Sequence, residues 1–383
     1  MLKIGITGQA GFIGTHLYNT LGLYSDKFER VLFEDEFFLN SNEIESFVTQ
    51  CDVIVHLAAM NRHANPEVIY KTNIDLVNRL TKACEKTKST PYILFSSSTQ
   101  EDLDNLYGKS KREGRQLLEQ WAEKNKAQFT GFIIPNVYGP FGQPFHNSVV
   151  ATFCYQLTHH ETPKIDVDGQ LRLIYIGELI QHFIERILVI AKDQKVNNSS
   201  FTEIVQVPHS SEIQVSTLLE KLTEYRDNYI DNGTIPNLDN EIDRNLFNTF
   251  LCYIDHSTFF PFKLKLNADN RGAFVETMRL NSGGQVSFST TVPGITRGNH
   301  FHTRKLERFA IIKGKARIEI RQIGTDKVIS FELDGKEPSF VDMPIWFTHN
   351  ITNIGDEELI TIFWISEHFS NRDTDTFFEL VSR

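Results

Sequence analysis

Several features that mark particular protein classes are scarce in this sequence. Its four cysteines, Cys51, Cys84, Cys154 and Cys252, lie far apart without CxxC spacing. Neither a disulfide framework nor a cysteine zinc ribbon is therefore predicted. Reduced thiols in a cytosol are the simpler interpretation.

Long apolar runs are absent as well, since none approaches the roughly 20 residues that a membrane helix needs. From Met1 the chain enters an apolar strand and a glycine turn, with no basic leader and no small-residue cleavage site. We therefore expect a cytoplasmic protein without membrane insertion.

The sequence has fewer positively charged than negatively charged residues. The sequence has 39 Lys and Arg against 49 Asp and Glu, a formal net charge of -10 at pH 7, so nucleic acid is not expected as a partner. A length of 383 residues, 40% hydrophobic and 23% charged, is typical of a globular protein with two or three domains.

The first part of the chain alternates short apolar runs with segments of helical length. Such alternation predicts parallel strands in a doubly wound, Rossmann-like α/β sheet. The strand candidates are Leu2–Thr7, Val31–Phe33, Val53–Leu57, Tyr92–Ser96 and Phe129–Ile134, and the helix candidates include Gly14–Leu21, Ile74–Lys86 and Ser110–Lys126.

After about residue 255 the helical pattern fades and short β-type runs recur between turns, which predicts an all-β sandwich or barrel. A turn-rich connection at Asn232–Asn240 places the boundary before Lys263, and the predicted domains are 1–245 and 246–383. The strand candidates are Gln285–Thr290, Arg308–Ile312, Ala316–Gln322, Ser339–Val341 and Leu359–Ile365.

A glycine-rich turn joins the first strand to the first helix. The segment IGITGQAGFIG places Gly8, Gly11 and Gly14 at this junction, where the backbone can approach a diphosphate and the helix N-terminus offers amide donors. This arrangement predicts a dinucleotide site, with a plain structural turn as the alternative.

Tyr107 and Lys111, in YGKSK, follow a strand that ends in Ser96, Ser97 and Ser98. Four residues apart, the tyrosine and lysine share one helical face, where the ammonium is expected to lower the tyrosine pKa from about 10 toward the working range. Such a tyrosine can pass a proton to a carbonyl oxygen as hydride arrives at its carbon. A chance YxxxK is the alternative for so short a pattern.

These motifs resemble the extended short-chain dehydrogenase/reductase family, which carries TGxxGFIG, a serine cluster and YxxxK in this order. The resemblance implies that Tyr107 is the proton donor and that Lys111 tunes it and holds the ribose hydroxyls. It also implies that Ser98 bonds the substrate oxygen, with Ser97 or Thr99 as alternatives.

The same resemblance implies cofactor and substrate contacts. In PNVYGP and DGQLR it places Asn136 and Arg172 near the substrate diphosphate, although Arg172 is equally well explained as an exposed surface arginine. The implied cofactor-binding residues are Gly8, Gly11, Phe12, Ile13, Gly14, Leu57, Ala58, Ala59, Tyr107 and Lys111.

Two features depart from the family pattern. The nine-residue step from Ser98 to Tyr107 is short, which predicts a trimmed substrate loop. Glu34, Asp35 and Glu36 follow the second strand without the arginine that usually receives a 2′-phosphate, and acidic groups there favour NAD. The predicted cofactor is NADPH, with NADH as the alternative.

A histidine cluster is predicted in the C-terminal half. His300 and His302 alternate along a strand in GNHFHTRKLE, Glu307 ends this segment, and His349 lies in MPIWFTHNITNIG. Three imidazoles and a carboxylate predict a site for Zn²⁺ or another divalent transition metal. Histidines that fill a polar barrel interior are the alternative.

These segments resemble the two signature motifs of the cupin fold, and DNRGAFVE resembles the sugar 3,5-epimerase branch of that superfamily. The second resemblance implies that Arg271 and Glu276 hold the nucleotide and that His300 abstracts a proton next to a ketone. A metal-bound imidazole cannot be the free base, so we predict the ligand role for His300, because the whole ligand set is present.

The combination of both halves resembles the CapF-type bifunctional enzymes of capsular or O-antigen polysaccharide synthesis. The resemblance implies that the cupin domain epimerises C3 of UDP-2-acetamido-2,6-dideoxy-L-arabino-hexos-4-ulose. The N-terminal domain would then reduce the C4 ketone to give UDP-2-acetamido-2,6-dideoxy-L-talose. A homodimer through the cupin domain is also implied. The alternatives are a nicotinamide-sensing regulatory protein with a cupin assembly module, and a reductase fused to a metal-dependent oxygenase.

Overall fold

The computed structural model describes residues 1–193 and 200–382. Contacts divide the chain into two compact units, Met1–Val149 with Gly169–Gln214, and Val150–Asp168 with Val215–Arg383.

This division differs from the predicted limits of 1–245 and 246–383. Tyr229, which those limits assign to the first domain, donates a 2.6 Å hydrogen bond to Asp342 within the second unit. Asp342 also forms a buried ion pair with Arg308, at 2.7 Å. By their contacts, residues 215–245 belong with the second unit, because helical segments before the turn-rich connection pack on the β strands that follow it.

The helices of the described residues are α1 (Phe12–Gly22), α2 (Ser41–Gln50), α3 (Pro66–Thr87), α4 (Leu106–Asn125), α5 (Val149–Thr158), α6 (Ile176–Asp193), α7 (Val215–Tyr225), α8 (Glu241–Leu251) and α9 (His256–Phe259). Short 3₁₀ turns occupy Asp35–Leu39 and Thr99–Asp102, and a π turn occupies Arg226–Ile230. None of these helices is long and apolar enough to cross a membrane.

The strands of the first unit are β1 (Leu2–Thr7), β2 (Phe28–Val31), β3 (Val53–His56), β4 (Tyr92–Ser98), β5 (Gln128–Ile134), β6 (Asn136–Tyr138), β7 (Gln170–Tyr175), β8 (Phe201–Gln206) and β9 (Ser211–Gln214). Those of the second unit are β10 (Phe262–Lys263), β11 (Asn267–Asp269), β12 (Gly272–Phe274), β13 (Gln285–Thr291), β14 (Thr296–Phe301), β15 (Glu307–Lys313), β16 (Lys315–Gln322), β17 (Val328–Asp334), β18 (Ser339–Met343), β19 (Phe347–Asn353), β20 (Leu359–Ile365) and β21 (Phe377–Phe378).

The first unit is built on a parallel sheet with the strand order β2-β1-β3-β4-β5-β8. Its central strands β3 and β4 are almost completely buried, as expected where helices cover both faces of a parallel sheet. One face packs against Leu17 of α1 and Phe183 of α6. The other packs against Phe47 of α2, Leu80 of α3 and Leu118 of α4.

The second unit contains two five-stranded antiparallel sheets, β10-β18-β15-β20-β13 and β17-β16-β19-β14-β21. Alternation along β16 shows how the sequence selects its faces, since Ala316, Ile318 and Ile320 are fully buried while Lys315 is exposed. A Rossmann-like parallel sheet followed by an all-β, cupin-type domain confirms the predicted fold class.

The predicted strands and helices are largely confirmed, but α3 and α4 begin at Pro66 and Leu106 rather than at the predicted Ile74 and Ser110. The second strand occupies Phe28–Val31 rather than Val31–Phe33. Leu32 is exposed and Phe33 is buried, so the apolar pair that suggested a strand lies in the loop after it, with Phe33 packing into the core.

Candidate functional sites

The glycine-rich turn after β1 lies against the segment that follows β3. Gly8 has a φ of +70°, and a Cβ atom on it would lie 2.8 Å from the Cα atom of Ala58. A Cβ atom on Gly14 would collide with the carbonyl oxygen of Gly8. Gly11 precedes α1 without a side-chain cap, which leaves the first amides of the helix directed at an anion site. This close-packed cradle fits a dinucleotide diphosphate.

A buried histidine holds the ends of β1 and β3 together. The Nδ1 atom of His56 lies 2.6 Å from the hydroxyl of Thr7, and that hydroxyl accepts a hydrogen bond from the amide of Ala58. Burial, followed by the charge of Lys111, lowers the pKa of His56 to about 3, so this imidazole is neutral at pH 7. It fixes the predicted cofactor-lining segment Leu57 to Ala59 at the carboxyl edge of the sheet.

The structure brings Tyr107 and Lys111 to the end of β4. Asn105 caps α4 by accepting a 2.7 Å hydrogen bond from the amide of Gly108. The ammonium of Lys111 donates to the carbonyl oxygen of Ser96, at 2.9 Å, and lies 5.8 Å from the centre of the Tyr107 ring. Tyr107 and Lys111 therefore lie beside β4, the strand that ends in Ser98.

The expectation that Lys111 lowers the pKa of Tyr107 is not met in this structure. Burial raises the pKa of Tyr107 to about 12, because removal of water disfavours the phenolate. Burial also lowers the pKa of Lys111 to about 8, against a smaller opposing effect of Glu101. At pH 7 the phenol holds its proton and the ammonium is largely charged, which suits a proton donor beside a cation.

The three candidates for the serine role differ in their surroundings. Ser97 is buried and its hydroxyl is committed to the carboxylate of Glu101. Ser98 is half-buried, and its hydroxyl accepts from the amide of Gln100 at 3.2 Å, which leaves its own proton available for donation. Thr99 is exposed. Ser98 is therefore the candidate that is both accessible and held in place.

The sequence analysis missed a buried ion pair beside these residues. Glu101 forms a two-pronged pair with Arg115 of α4, with nitrogen–oxygen distances of 3.0 and 2.8 Å. Arg112 donates to the backbone carbonyl of Glu101. The pair ties the short turn after Ser98 to the helix that carries Tyr107. The only sign of this pair in the sequence is the opposite charge of Glu101, in QED, and Arg115, in KREGR.

Asn136 and Arg172 come close together through strand pairing. Asn136 of β6 is in register with Leu173 of β7, beside Arg172, and both side chains are accessible to solvent. The guanidinium of Arg172 pairs with Glu212 at 3.0 Å, and Glu212 also contacts His209 at 2.9 Å. Arg172 therefore has a carboxylate partner that an anionic substrate would have to replace.

Arg271 and Glu276 lie on the surface of the second unit. Arg271, with 85% of its side chain exposed, pairs with Asp269 at 2.6 Å. Glu276 pairs with Arg279. Arg271 and Glu276 therefore each have an oppositely charged surface partner within a few residues of the sequence.

The predicted metal ligands converge inside the β domain. One ligand atom from each of His300, His302, Glu307 and His349 lies within 4.8 Å of the others. They come from β14, the turn after it, β15 and β19, and His300 is directly paired with His349 across the sheet. The Oε2 atom of Glu307 lies 3.3 Å from His302 Nε2 and 3.0 Å from His349 Nε2.

The polarity of this cluster fits a divalent cation. His302 Nε2, His349 Nε2 and Glu307 Oε2 are buried and face one another, and no other polar group of the described residues bonds to them. A bound ion would satisfy all three atoms. The Nδ1 atom of His302 lies 2.5 Å from the carbonyl oxygen of Asp375, and the Nδ1 atom of His349 lies 3.2 Å from that of Phe347. These contacts leave the Nε2 lone pairs for a ligand role.

The carboxylate supplies negative charge at the centre of the cluster. Burial opposes ionisation of Glu307, but the neighbouring imidazoles outweigh it and hold its pKa well below the usual value. His300 is the accessible member, with 27% of its side chain exposed. The arrangement can bind a metal ion with one side open to the surroundings, which is the pattern of a catalytic rather than a closed structural site.

Two family models match the chain, one in each half. Residues 4–185 match the NAD dependent epimerase/dehydratase family, and residues 267–377 match the polysaccharide biosynthesis C-terminal domain. The first match covers the glycine turn and Tyr107, and the second covers all four residues of the histidine cluster.

Relatives of the whole chain are also found. A UDP-2-acetamido-2,6-beta-L-arabino-hexul-4-ose reductase of Pseudomonas aeruginosa is 31% identical over 377 residues, 98% of each chain. The crystal structure of the capsular polysaccharide assembling protein CapF from Staphylococcus aureus is 31% identical and covers 99% of this chain and 100% of that chain, with a TM-score of 0.62. A CapF structure with the inhibitor 3-isopropenyl-tropolone is 30% identical with the same coverage and a TM-score of 0.57.

Proposed function

Because the chain belongs to the family of CapF-like capsular polysaccharide enzymes, we propose that it acts on a UDP-linked 4-keto-6-deoxy amino sugar in two steps. The C-terminal unit epimerises C3 of UDP-2-acetamido-2,6-dideoxy-L-arabino-hexos-4-ulose. The N-terminal unit then reduces the C4 ketone with NAD(P)H to give UDP-2-acetamido-2,6-dideoxy-L-talose. The observation that carries this proposal is the placement of Tyr107 and Lys111 beside β4, the strand that ends in Ser98, in a parallel sheet with a glycine-rich cradle.

In the reduction, a nicotinamide cofactor held by the glycine-rich turn would supply the hydride for the C4 carbon. Tyr107 gives its phenolic proton to the C4 oxygen, and its raised pKa of about 12 ensures that the proton is present at neutral pH. The charged ammonium of Lys111 stabilises the phenolate that remains. The hydroxyl of Ser98 donates to the same substrate oxygen and orients it.

The cofactor contacts are proposed along the glycine turn and the segment after β3. Gly8, Gly11 and the first amides of α1 would bind the diphosphate, and Leu57 to Ala59 would line the cofactor. We propose NADPH as the cofactor. NADH is the alternative, because the acidic side chain of Glu34 is exposed after β2, where it would repel the 2′-phosphate of NADPH.

In the epimerisation, a divalent metal held by His300, His302, Glu307 and His349 would supply Lewis acidity toward a ketone oxygen. The C4 ketone makes the neighbouring C3 hydrogen acidic, so this step requires the ketone. Reduction at C4 removes that acidity and fixes the new configuration. This chemistry orders the two steps, with epimerisation first.

We further propose a cytoplasmic homodimer that associates through the C-terminal half. Strand β13 lies at the edge of its sheet, and its Phe288 side chain is 72% exposed, with Val286 exposed beside it. Apolar side chains on an edge strand favour pairing with another chain.

The experiment that tests this function is incubation of the enzyme with the 4-keto UDP-sugar and either NADPH or NADH, without oxygen. Product configuration at C3 and C4 is read by NMR. We expect inversion at C3 and reduction at C4. Turnover that requires oxygen, or C4 reduction without C3 inversion, would contradict the proposal.

A further inference from the structure

A C-terminal segment of the chain lies directly behind the histidine cluster. We call residues 373–381 the strap. The Nδ1 atom of His302 lies 2.5 Å from the backbone carbonyl oxygen of Asp375, and both residues are buried. Since a carbonyl can only accept, His302 donates from Nδ1. Its Nε2 lone pair is then directed at the cluster.

The side chain of Asp375 organises the turn between two of the proposed ligands. Its carboxylate accepts hydrogen bonds from the hydroxyl of Thr303, at 2.6 Å, and from the amides of Thr303, Arg304 and Lys305, each at 3.1 Å. This turn connects His302 to Glu307. The buried carboxylate of Asp375 therefore holds the backbone between the two ligands. The backbone carbonyl of the same residue orients the imidazole of His302.

The backbone of Asp375 is held in an uncommon conformation. Its φ of +42° lies in the left-handed region, which non-glycine residues adopt at a cost unless the surroundings require it. Aspartate and asparagine tolerate this region better than most residues. The contacts of Asp375 to His302 and to the turn between His302 and Glu307 hold its backbone in this conformation.

The strap is anchored on both sides of Asp375. Before it, the carbonyl of Thr374 accepts a 2.7 Å hydrogen bond from the buried ammonium of Lys305. After it, β21 pairs with His300 and Phe301. The buried guanidinium of Arg321 then donates to the carbonyls of residues 380 and 381 and to the carboxylate of residue 379. Contacts on both sides of Asp375 therefore hold its backbone in place.

We propose that Asp375 is a positioning residue of the metal centre, and that the strap is part of that centre. This inference rests on the proposed metal site. Asp375 sets the tautomer and direction of His302 and the distance between His302 and Glu307 without touching the ion. Loss of such an outer partner typically lowers metal affinity by about 10- to 100-fold.

The test is a measurement of Zn²⁺ affinity and of the Co²⁺ absorption spectrum on the full chain. We expect Asp375→Ala to lower Zn²⁺ affinity by about 10- to 100-fold and to alter the Co²⁺ spectrum. Asp375→Asn should lie closer to wild type, because its amide oxygen still accepts and asparagine tolerates the backbone conformation. Asp356→Asn is the matched control, since Asp356 is an exposed aspartate outside the strap, in the turn between β19 and β20; its affinity should match wild type.

The outcomes separate this inference from the proposed function. If wild type binds Zn²⁺ and Asp375→Ala retains both affinity and spectrum, the role of Asp375 is refuted while the metal centre stands. If wild type binds no metal, the metal centre itself is refuted, and this inference with it. Should Asp375→Ala not fold, Thr303→Val removes one donor to the carboxylate, and an affinity unchanged from wild type would likewise refute the role.

Discussion

The ammonium of Lys111 donates a 2.9 Å hydrogen bond to the backbone carbonyl oxygen of Ser96. This bond joins the first turns of α4 to the last residues of β4, so the helix that carries Tyr107 is fixed to the strand that carries Ser98. The ammonium is fully buried, and its pKa is lowered as a result. The geometry and the charge state of the proposed reductase site therefore depend on the same lysine.

Replacement of Tyr107 by Phe removes the proposed proton donor while keeping the ring. We expect reductase kcat to fall by roughly 10²- to 10⁴-fold, with dissociation constants for NADPH and NADH close to wild type. Stopped-flow turnover and cofactor fluorescence titration measure the two quantities. Tyr24→Phe, a tyrosine that packs against Phe28 at the start of β2, is the control, and turnover of Tyr107→Phe equal to that control would refute the assignment.

The pH dependence of reduction follows from Lys111. Its pKa, lowered by burial to about 8, means that the ammonium is charged below this pH and neutral above it. We expect kcat to decrease as pH rises through about 8, because the phenolate of Tyr107 loses its stabilising charge. Lys109→Ala, an exposed neighbour on the same helix, should keep the same profile. A wild-type profile that stays flat well above this pH would argue against the role of Lys111.

Glu101 is expected to matter for both stability and turnover. In Glu101→Gln the guanidinium of Arg115 loses its buried carboxylate, and the free energy of unfolding should fall by about 1–3 kcal/mol. Reductase kcat should fall as well, because the turn after Ser98 loosens. Glu119→Gln is the matched control, since Glu119 is a more exposed partner of Arg115 at 3.8 Å and should change stability by about 0–1 kcal/mol. Urea unfolding that gives equal values for both variants would contradict this account.

Metal binding should stabilise the chain through the histidine cluster. A ligand that binds only the folded state raises the melting temperature. Added Zn²⁺ should therefore raise the melting temperature of the wild-type protein, and a chelator should reverse this increase. His302→Ala should lose the response and retain little metal by elemental analysis. The exposed His368→Ala should respond like wild type. Full Zn²⁺ retention in His302→Ala would rule out this residue as a ligand.

The candidate residues of both sites could be predicted from the sequence because short motifs place most of them close together in the chain. YxxxK places Tyr107 and Lys111 on one face of a helix, and HxH places His300 at the end of β14 and His302 directly after it. The pKa of Tyr107 was predicted in the wrong direction, because its burial depends on the packing of the whole unit. Asp375 was missed because no local pattern relates it to His302, which lies far away in the sequence. Only the pairing of β21 with β14 brings them together.

The most direct test of the two-step account is solvent deuterium exchange at C3 of the 4-keto UDP-sugar in D₂O without any nicotinamide. We expect wild type and Tyr107→Phe to incorporate deuterium at C3 alike, because the exchange belongs to the C-terminal unit, and His302→Ala to incorporate none. NMR of the recovered sugar reads the result. Exchange that survives in His302→Ala, or that is lost in Tyr107→Phe, would contradict the assignment of the two steps to separate units.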